Sequence, residues 1–121
     1  MSKLINLNTI SDHRGSLTVI ENCLPFEIKR VYYIYSVDNS IRGQHRHHKS
    51  IQAAICISGS CKIYCNNGMN EIVYNLNEPN ICLILDPIDW HKMYDFTPDA
   101  ILLVLASEKY DPKDYITIPY E

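Results

Sequence analysis

What the chain lacks narrows its class first. No apolar run among its 121 residues approaches the length that crosses a bilayer as a helix. The opening Met1-Ser2-Lys3-Leu4-Ile5-Asn6 has no apolar core of the kind a secretory signal carries, so a cytoplasmic protein is expected. Lys and Arg number 11 against 14 Asp and Glu, a net charge of −3, and form no basic stripe. Nucleic-acid binding is not expected, because it depends on clustered cations that neutralise phosphates. Helical periodicity of useful length is missing, and so are repeats, linkers and low-complexity segments. The cysteines, at 23, 56, 61, 65 and 82, are odd in number. Most sit in apolar runs such as Ile55-Cys56-Ile57, which suits reduced, buried thiols better than a disulfide framework. Cys61 and Cys65 share strand parity, but no second pair at ligand spacing follows, so no zinc thiolate site is expected.

What is present reads as β-structure. Hydrophobic residues make up 46%, enough for a packed core, and the length fits one domain over residues 1–121. Leu4–Leu7 is a short first strand, and Ser11–Gly15 a turn in which Gly15 can take positive φ. Ser16–Glu21 alternates and is β-branched. Lys29–Val37 is a long strand with Val31, Tyr33 and Tyr35 on one face and Arg30, Tyr32 and Ile34 on the other. Ile51–Ile57, Cys61–Cys65, Glu71–Leu76, Asn80–Asp86, Trp90–Met93 and Ala100–Ala106 follow, with Asn66-Asn67-Gly68 a hairpin turn. Tyr110–Tyr115 is a polar, aromatic tail expected to pack over the barrel. About ten short strands at regular spacing predict an all-β barrel or sandwich.

The stretch Arg42-Gly43-Gln44-His45-Arg46-His47-His48 holds three of the five histidines. His45 and His47 are two apart, so in a strand both leave one face. Two imidazoles in one cavity can form a proton-transfer pair or supply two metal ligands. A solvated, basic strand end is the competing interpretation. His48 has the opposite parity and is expected to face away, and His13 is expected at the surface.

His45-x-His47, Gln52, Gly59, Pro87 and His91 in that order resemble the two-part signature of the cupin superfamily. Gln52 stands at the Glu position, the Pro-to-His spacing is one shorter than usual, and Asp95 stands where Asn is common. A closer resemblance covers essentially the whole chain. Asp12-x-Arg14-Gly15-x-Leu17, Arg30-Val31-Tyr32-Tyr33-Ile34, Arg42-Gly43-x-His45-x-His47, Trp90-His91-x-Met93 and the later Tyr110-Asp111 and Asp114-Tyr115-Ile116 look like the nucleotide-sugar 3,4-ketoisomerases. Arg46 stands where that family often has Ala, and Ile51 where a Glu commonly precedes the Gln.

The resemblance implies a single cupin, or jelly-roll, β-barrel. It implies an isomerase that shifts the carbonyl of dTDP-4-keto-6-deoxy-D-glucose from C4 to C3 through an enediol, for deoxysugar biosynthesis. His45 and His47 would carry the protons, since imidazole titrates near the operating pH, with Tyr33 assisting. Arg14, Arg30, Arg42, Gln52 and His91 would line the substrate site, Arg being suited to a diphosphate. No cofactor and no metal are implied, because Gln52 removes the one anionic cupin ligand. Small cupins of this family pair through strand edges, so a homodimer is expected, with the strand around Leu4–Leu7 exchanged or added. Arg14 and His91 together resemble the members that form the galacto product, dTDP-3-keto-6-deoxy-D-galactose. Two rival functions remain open: a metal-dependent cupin oxygenase using His45, His47, Gln52 and His91, and a non-catalytic sugar-nucleotide binding module.

Overall fold

A computed structural model describes residues 2–121. Its strands are β1 (Lys3–Asn6), β2 (Asn8–Asp12), β3 (Gly15–Val19), β4 (Arg30–Ile34), β5 (Arg42–His47) and β6 (Gln52–Ser58). They continue with β7 (Cys61–Asn66), β8 (Glu71–Leu76), β9 (Ile81–Leu85), β10 (Trp90–Tyr94), β11 (Ile101–Ala106) and β12 (Tyr115–Ile116). A 3₁₀ turn, Pro112–Asp114, precedes β12, capped by the Asp111 carboxylate on the Lys113 N–H.

Two five-stranded antiparallel sheets, ordered β1-β9-β6-β11-β4 and β12-β5-β10-β7-β8, face each other as a jelly roll. The expected all-β cupin barrel is therefore what the chain forms. The inner core joins Ala54, Cys56, Leu83, Leu85, Leu102 and Val104 of the first sheet to Ile63, Cys65, Leu76 and Met93 of the second. Truncating a buried Leu or Ile here to Ala costs about 2–5 kcal/mol. A second cluster lies on the outer face of the first sheet, where Ala53, Ile55, Cys82, Ile84 and Leu105 are covered by Leu24 and Phe26. Packing on both faces explains why β6 and β9 read as nearly continuous apolar runs. Four of the five cysteines are buried and all five are free thiols.

Two departures from expectation have local causes. The strand drawn to Val37 stops at Ile34, because Ser36 turns into the left-handed region at φ 55°. The segment before the first turn is itself a strand, β2, and pairs with β3 in a hairpin that joins neither sheet. The strand around Leu4, expected at a dimer edge, is β1, which pairs along its length with β9 of its own chain. The unpartnered element is the β2–β3 hairpin, in which Ile10 and Leu17 sit directly opposite each other, each 59% exposed.

Candidate active site

Strand β5 brings the histidines together. The rings of His45 and His47 meet edge to face at 4.9 Å, as their shared parity requires. β10 pairs with β5 and sets His91 opposite His45, their rings 4.8 Å apart, with His47 and His91 at 6.2 Å. The pairing slips at one place: His91 opposes His45, but Lys92 opposes Gly43, leaving Gln44 as an unpaired bulge residue. Gln44 and Gly43 both have positive φ, 62° and 83°. A side chain at Gly43 would press within 3.2 Å of the His91 carbonyl, so glycine is required for the strands to meet there. The bulge also places Arg42 opposite Met93, which has the same inward parity as His91, although Arg42 and His45 are three positions apart, an odd spacing.

Each imidazole is held by an oxygen that can only accept. His45 Nδ1 lies 3.0 Å from the Gly43 carbonyl, His91 Nδ1 3.3 Å from the Asp89 carbonyl, and His47 Nδ1 3.0 Å from an Asp114 carboxylate oxygen. Each Nδ1 therefore carries the proton, and each neutral ring keeps its lone pair on Nε2. The Nε2 atoms of His47 and His91 are buried with no protein partner. Burial, reinforced by His47, lowers the His45 pKa against the weaker pull of the Gly43 carbonyl. Burial also lowers that of His47, partly offset by Asp114 and helped by the Arg30 cation. His91, 1% exposed, is pushed down to about 3 by burial and by the neighbouring His45. His91 thus stays neutral at any ordinary pH and offers the cavity a hydrogen-bond acceptor.

The segment after β11 completes the site, and sequence reasoning did not assign it there. Asp114 is buried, and its two oxygens accept the backbone N–H groups of Lys49 and Ser50 as well as His47 Nδ1. Burial alone would raise its pKa, but these hydrogen bonds outweigh it and hold the carboxyl below its ordinary value. Tyr115 packs its ring against both His45 and His47, at 4.6 and 4.7 Å. The available signal was the run Asp111-Pro112-Lys113-Asp114, a capped turn that aims one carboxylate inward.

Of the other expected residues, Arg30 and Gln52 join the cluster. Arg30 lies 4.5 Å over the Tyr32 ring and donates to the Tyr115 hydroxyl at 3.3 Å. Gln52, 2% exposed, donates through Nε2 to the Tyr32 hydroxyl at 3.2 Å, leaving its Oε1 without a partner. Arg42 sits at the rim, beside Tyr35, Ser36 and Asp38. Tyr33 is a correction. β4 turns Arg30, Tyr32 and Ile34 inward and leaves Tyr33 on the outer face, 61% exposed and tilted against Tyr35. The inward tyrosine is Tyr32, whose pKa burial raises, so its phenol stays protonated. Arg14 is likewise not in this chain's cavity: it is at the hairpin tip, 79% exposed and paired with Asp12. His48 is exposed, as its parity predicted.

This donor set does not suit a cupin metal. Among the described residues no group of three or more His, Cys, Asp or Glu side chains is set to hold a metal ion. Gln52 is neutral, and the Asp114 carboxylate is committed to His47 and two backbone N–H groups. The residues present offer a divalent ion no free anionic ligand.

Comparison with known proteins gives the same picture. The family described as FdtA: WxcM-like, C-terminal matches residues 1–120. The TDP-4-oxo-6-deoxy-alpha-D-glucose-3,4-oxoisomerase of Aneurinibacillus thermoaerophilus is 42% identical over 118 residues, which cover 95% of this chain and 85% of the relative. Among solved structures, the sugar 3,4-ketoisomerase QdtA of Thermoanaerobacterium thermosaccharolyticum, in complex with TDP, is 46% identical with a TM-score of 0.93, over 97% of this chain and 88% of that one. The WlaRB TDP-quinovose 3,4-ketoisomerase of Campylobacter jejuni is 47% identical with a TM-score of 0.92, over 97% of this chain and 92% of that one. With a family match along nearly its whole length and a histidine cavity set by β5 and β10, the chain belongs to the sugar-nucleotide 3,4-ketoisomerase family.

Proposed function

We propose that this protein converts dTDP-4-keto-6-deoxy-D-glucose to the 3-keto isomer by proton transfer through an enediol. The observation that carries the proposal is the pair of imidazoles, His45 and His47, in contact on one strand face with both Nδ1 atoms committed to oxygen acceptors. Their Nε2 lone pairs are proton acceptors in a partly dry cavity. One takes the C3 proton, and the electron pair left behind moves into the C3–C4 bond as charge develops on the C4 oxygen. The donors around it, the Tyr32 and Tyr115 hydroxyls and the Arg30 guanidinium, suit that oxygen. A proton delivered to that oxygen gives the enediol, and loss of the hydroxyl proton at C3 with return of a proton to C4 completes the reaction without external oxidant. Asp114 stabilises the imidazolium of His47 when it forms.

The test is an NMR time course with dTDP-4-keto-6-deoxyglucose in deuterated buffer. The 3-keto product should accumulate with deuterium entering at C4. No turnover and no exchange would leave a binding module. Turnover lost to chelation and restored by one divalent ion would make the protein a metal enzyme.

The product on this proposal is dTDP-3-keto-6-deoxy-D-galactose, supported by the resemblance of Arg14 and His91 to the galacto-forming members. A large H4–H5 coupling in the product would indicate the gluco sugar instead. Because Arg14 stands outside its own chain's cavity, the assignment goes with a homodimer in which the hairpin of one copy packs on the other. Supporting it are the apolar hairpin face of Ile10 and Leu17 and the exposed stripe of Val31 and Tyr33 on edge strand β4, with Tyr35 just beyond its end. A monomer by light scattering at micromolar concentration would overturn it. The compartment proposed is the cytoplasm, which suits five free cysteines.

A further inference from the structure

The segment from Asp111 to Tyr120 wraps the edge of the second sheet. β12 adds to β5 with Tyr115 opposite His47 and Ile116 opposite Arg46. On the cavity side it delivers Asp114 and Tyr115 to the histidines. Beyond β12, the Trp90 indole N–H donates to the Thr117 carbonyl at 3.1 Å. Farther on, Tyr120 is held on three sides. Its ring lies 4.3 Å under the Arg46 guanidinium, and its hydroxyl accepts from Arg46 at 2.9 Å and donates to the Ile88 carbonyl at 2.8 Å. A Cβ added at Gly68 would meet the Tyr120 ring at 3.1 Å, so the ring rests on bare backbone there.

Arg46 lies between the two proton carriers in sequence, and its parity turns it away from them. The Ile88 carbonyl belongs to the turn whose Pro87 carbonyl accepts the His47 N–H at 2.7 Å and whose Asp89 carbonyl holds the His91 ring. The contacts at Tyr120 therefore join three pieces that carry the site: β5, the turn before β10, and the wrapping segment.

We propose that Arg46 and Tyr120 form a clasp behind β5 that holds this segment closed, so that Asp114 and Tyr115 stay seated on His47 and His45. They are positioning residues for the proposed reaction, and the clasp rests on that proposal. Substrate geometry lost by about 1 Å can cost on the order of 10²-fold in rate, and a loosened clasp should cost roughly tenfold.

The experiment uses Arg46→Ala, Tyr120→Ala and Tyr120→Phe in the full chain, each also combined with Asp114→Asn. In wild-type protein the His47 Nδ1 proton, bonded to buried Asp114, should be visible by proton NMR as an exchange-protected downfield resonance. Arg46→Ala and Tyr120→Ala should broaden or remove it and lower kcat roughly tenfold with little change in KM. Tyr120→Phe, which keeps the ring under Arg46, should recover most of the rate. In the Asp114→Asn background the clasp variants should cost clearly less than they do alone, because one of the two contacts they protect, that of Asp114 with His47, is already weakened. Wild-type kcat and an unchanged proton signal in the alanine variants would overturn the clasp, and so would costs that add in full to that of Asp114→Asn. If Arg46→Ala fails to fold, Tyr120→Ala decides. The NMR signal reads the clasp without turnover, so an inactive wild type would count against the proposed reaction and leave the clasp to the resonance.

Discussion

The histidine cavity and the β2–β3 hairpin are built on opposite terms. In the cavity the Nδ1 atom of each histidine has a partner in the same chain, and the carboxylate behind His47 accepts three hydrogen bonds. In the hairpin nearly every interaction stays inside the hairpin: Thr9 with Thr18, Ser11 with Ser16, Arg14 with Asp12. Its apolar pair, Ile10 and Leu17, touches neither sheet's core. The histidine cluster is held within one chain, whereas the hairpin presents an apolar face that one chain leaves in water. Residues that hold the histidines should therefore keep their geometry at any protein concentration, and residues of the hairpin should act only where copies meet.

The hardest test of that contrast is chemical. Replacing His45 or His47 by Asn should lower turnover by about 10²–10⁴-fold each while the thermal unfolding profile holds. Wild-type rates in both variants would remove the proton carriers from the cavity. Next comes the hairpin. In the proposed dimer, Ile10→Asp with Leu17→Asp should raise the dissociation constant by at least about 10²-fold, since burying an Ile or Leu side chain is worth about 1.5–3 kcal/mol. Analytical ultracentrifugation reads this, and the barrel's melting temperature should hardly move. If melting drops sharply while association is unchanged, the hairpin belongs to its own barrel after all.

The pH dependence of stability separates the regions again. His91 titrates near its ordinary 6.5 when unfolded but only at about 3 when folded. The unfolded chain therefore binds the extra proton between those values, and stability present at neutral pH is lost as pH falls from 6.5 towards 3. The slope is about 1.4 kcal/mol per pH unit for this one group, with His45 and His47 acting in the same direction. His91→Leu should flatten the curve by close to one proton, measured by denaturant unfolding across pH. Smallest of all is the effect of chelation: exhaustive EDTA treatment should leave turnover unchanged, and a loss that one divalent ion restores would return a metal to the cavity.

Much of this was legible in the residues. Strand parity alone put His45 and His47 on one face and His48 on the other, and β-branched runs bounded by turn residues located the barrel strands. The faces of β4 were divided correctly as well. What parity cannot say is which face is inside, and Tyr33 was assigned inward when Arg30 and Tyr32 share that side. β2 was missed because Asn8-Thr9-Ile10-Ser11-Asp12 has a single large apolar residue and buries none of its length, so it lacks the alternation that marks a half-buried strand. Asp114 and Tyr115 were missed for a different reason. Their role comes from a contact across more than sixty positions of chain, |i−j| = 67 for Asp114 and His47, and no local pattern encodes such a distance.

The bulge in β5 bears on how related chains should be aligned. Gln44 adds one to the residue count between Arg42 and His45 but no step to the ladder, since Lys92 opposes Gly43 and His91 opposes His45. A relative one residue shorter at this point would keep its arginine and its histidine on the same side of the sheet. A relative one residue longer between the two histidines would send one of them outside. Gaps in an alignment are thus not equal along this strand: one falling at Gln44 is nearly silent, and one falling two residues later dismantles the pair. Deleting Gln44 should give a folded protein with the histidines still in contact, while inserting an alanine after Arg46 should separate them, and the two variants differ in length from the parent by the same single residue.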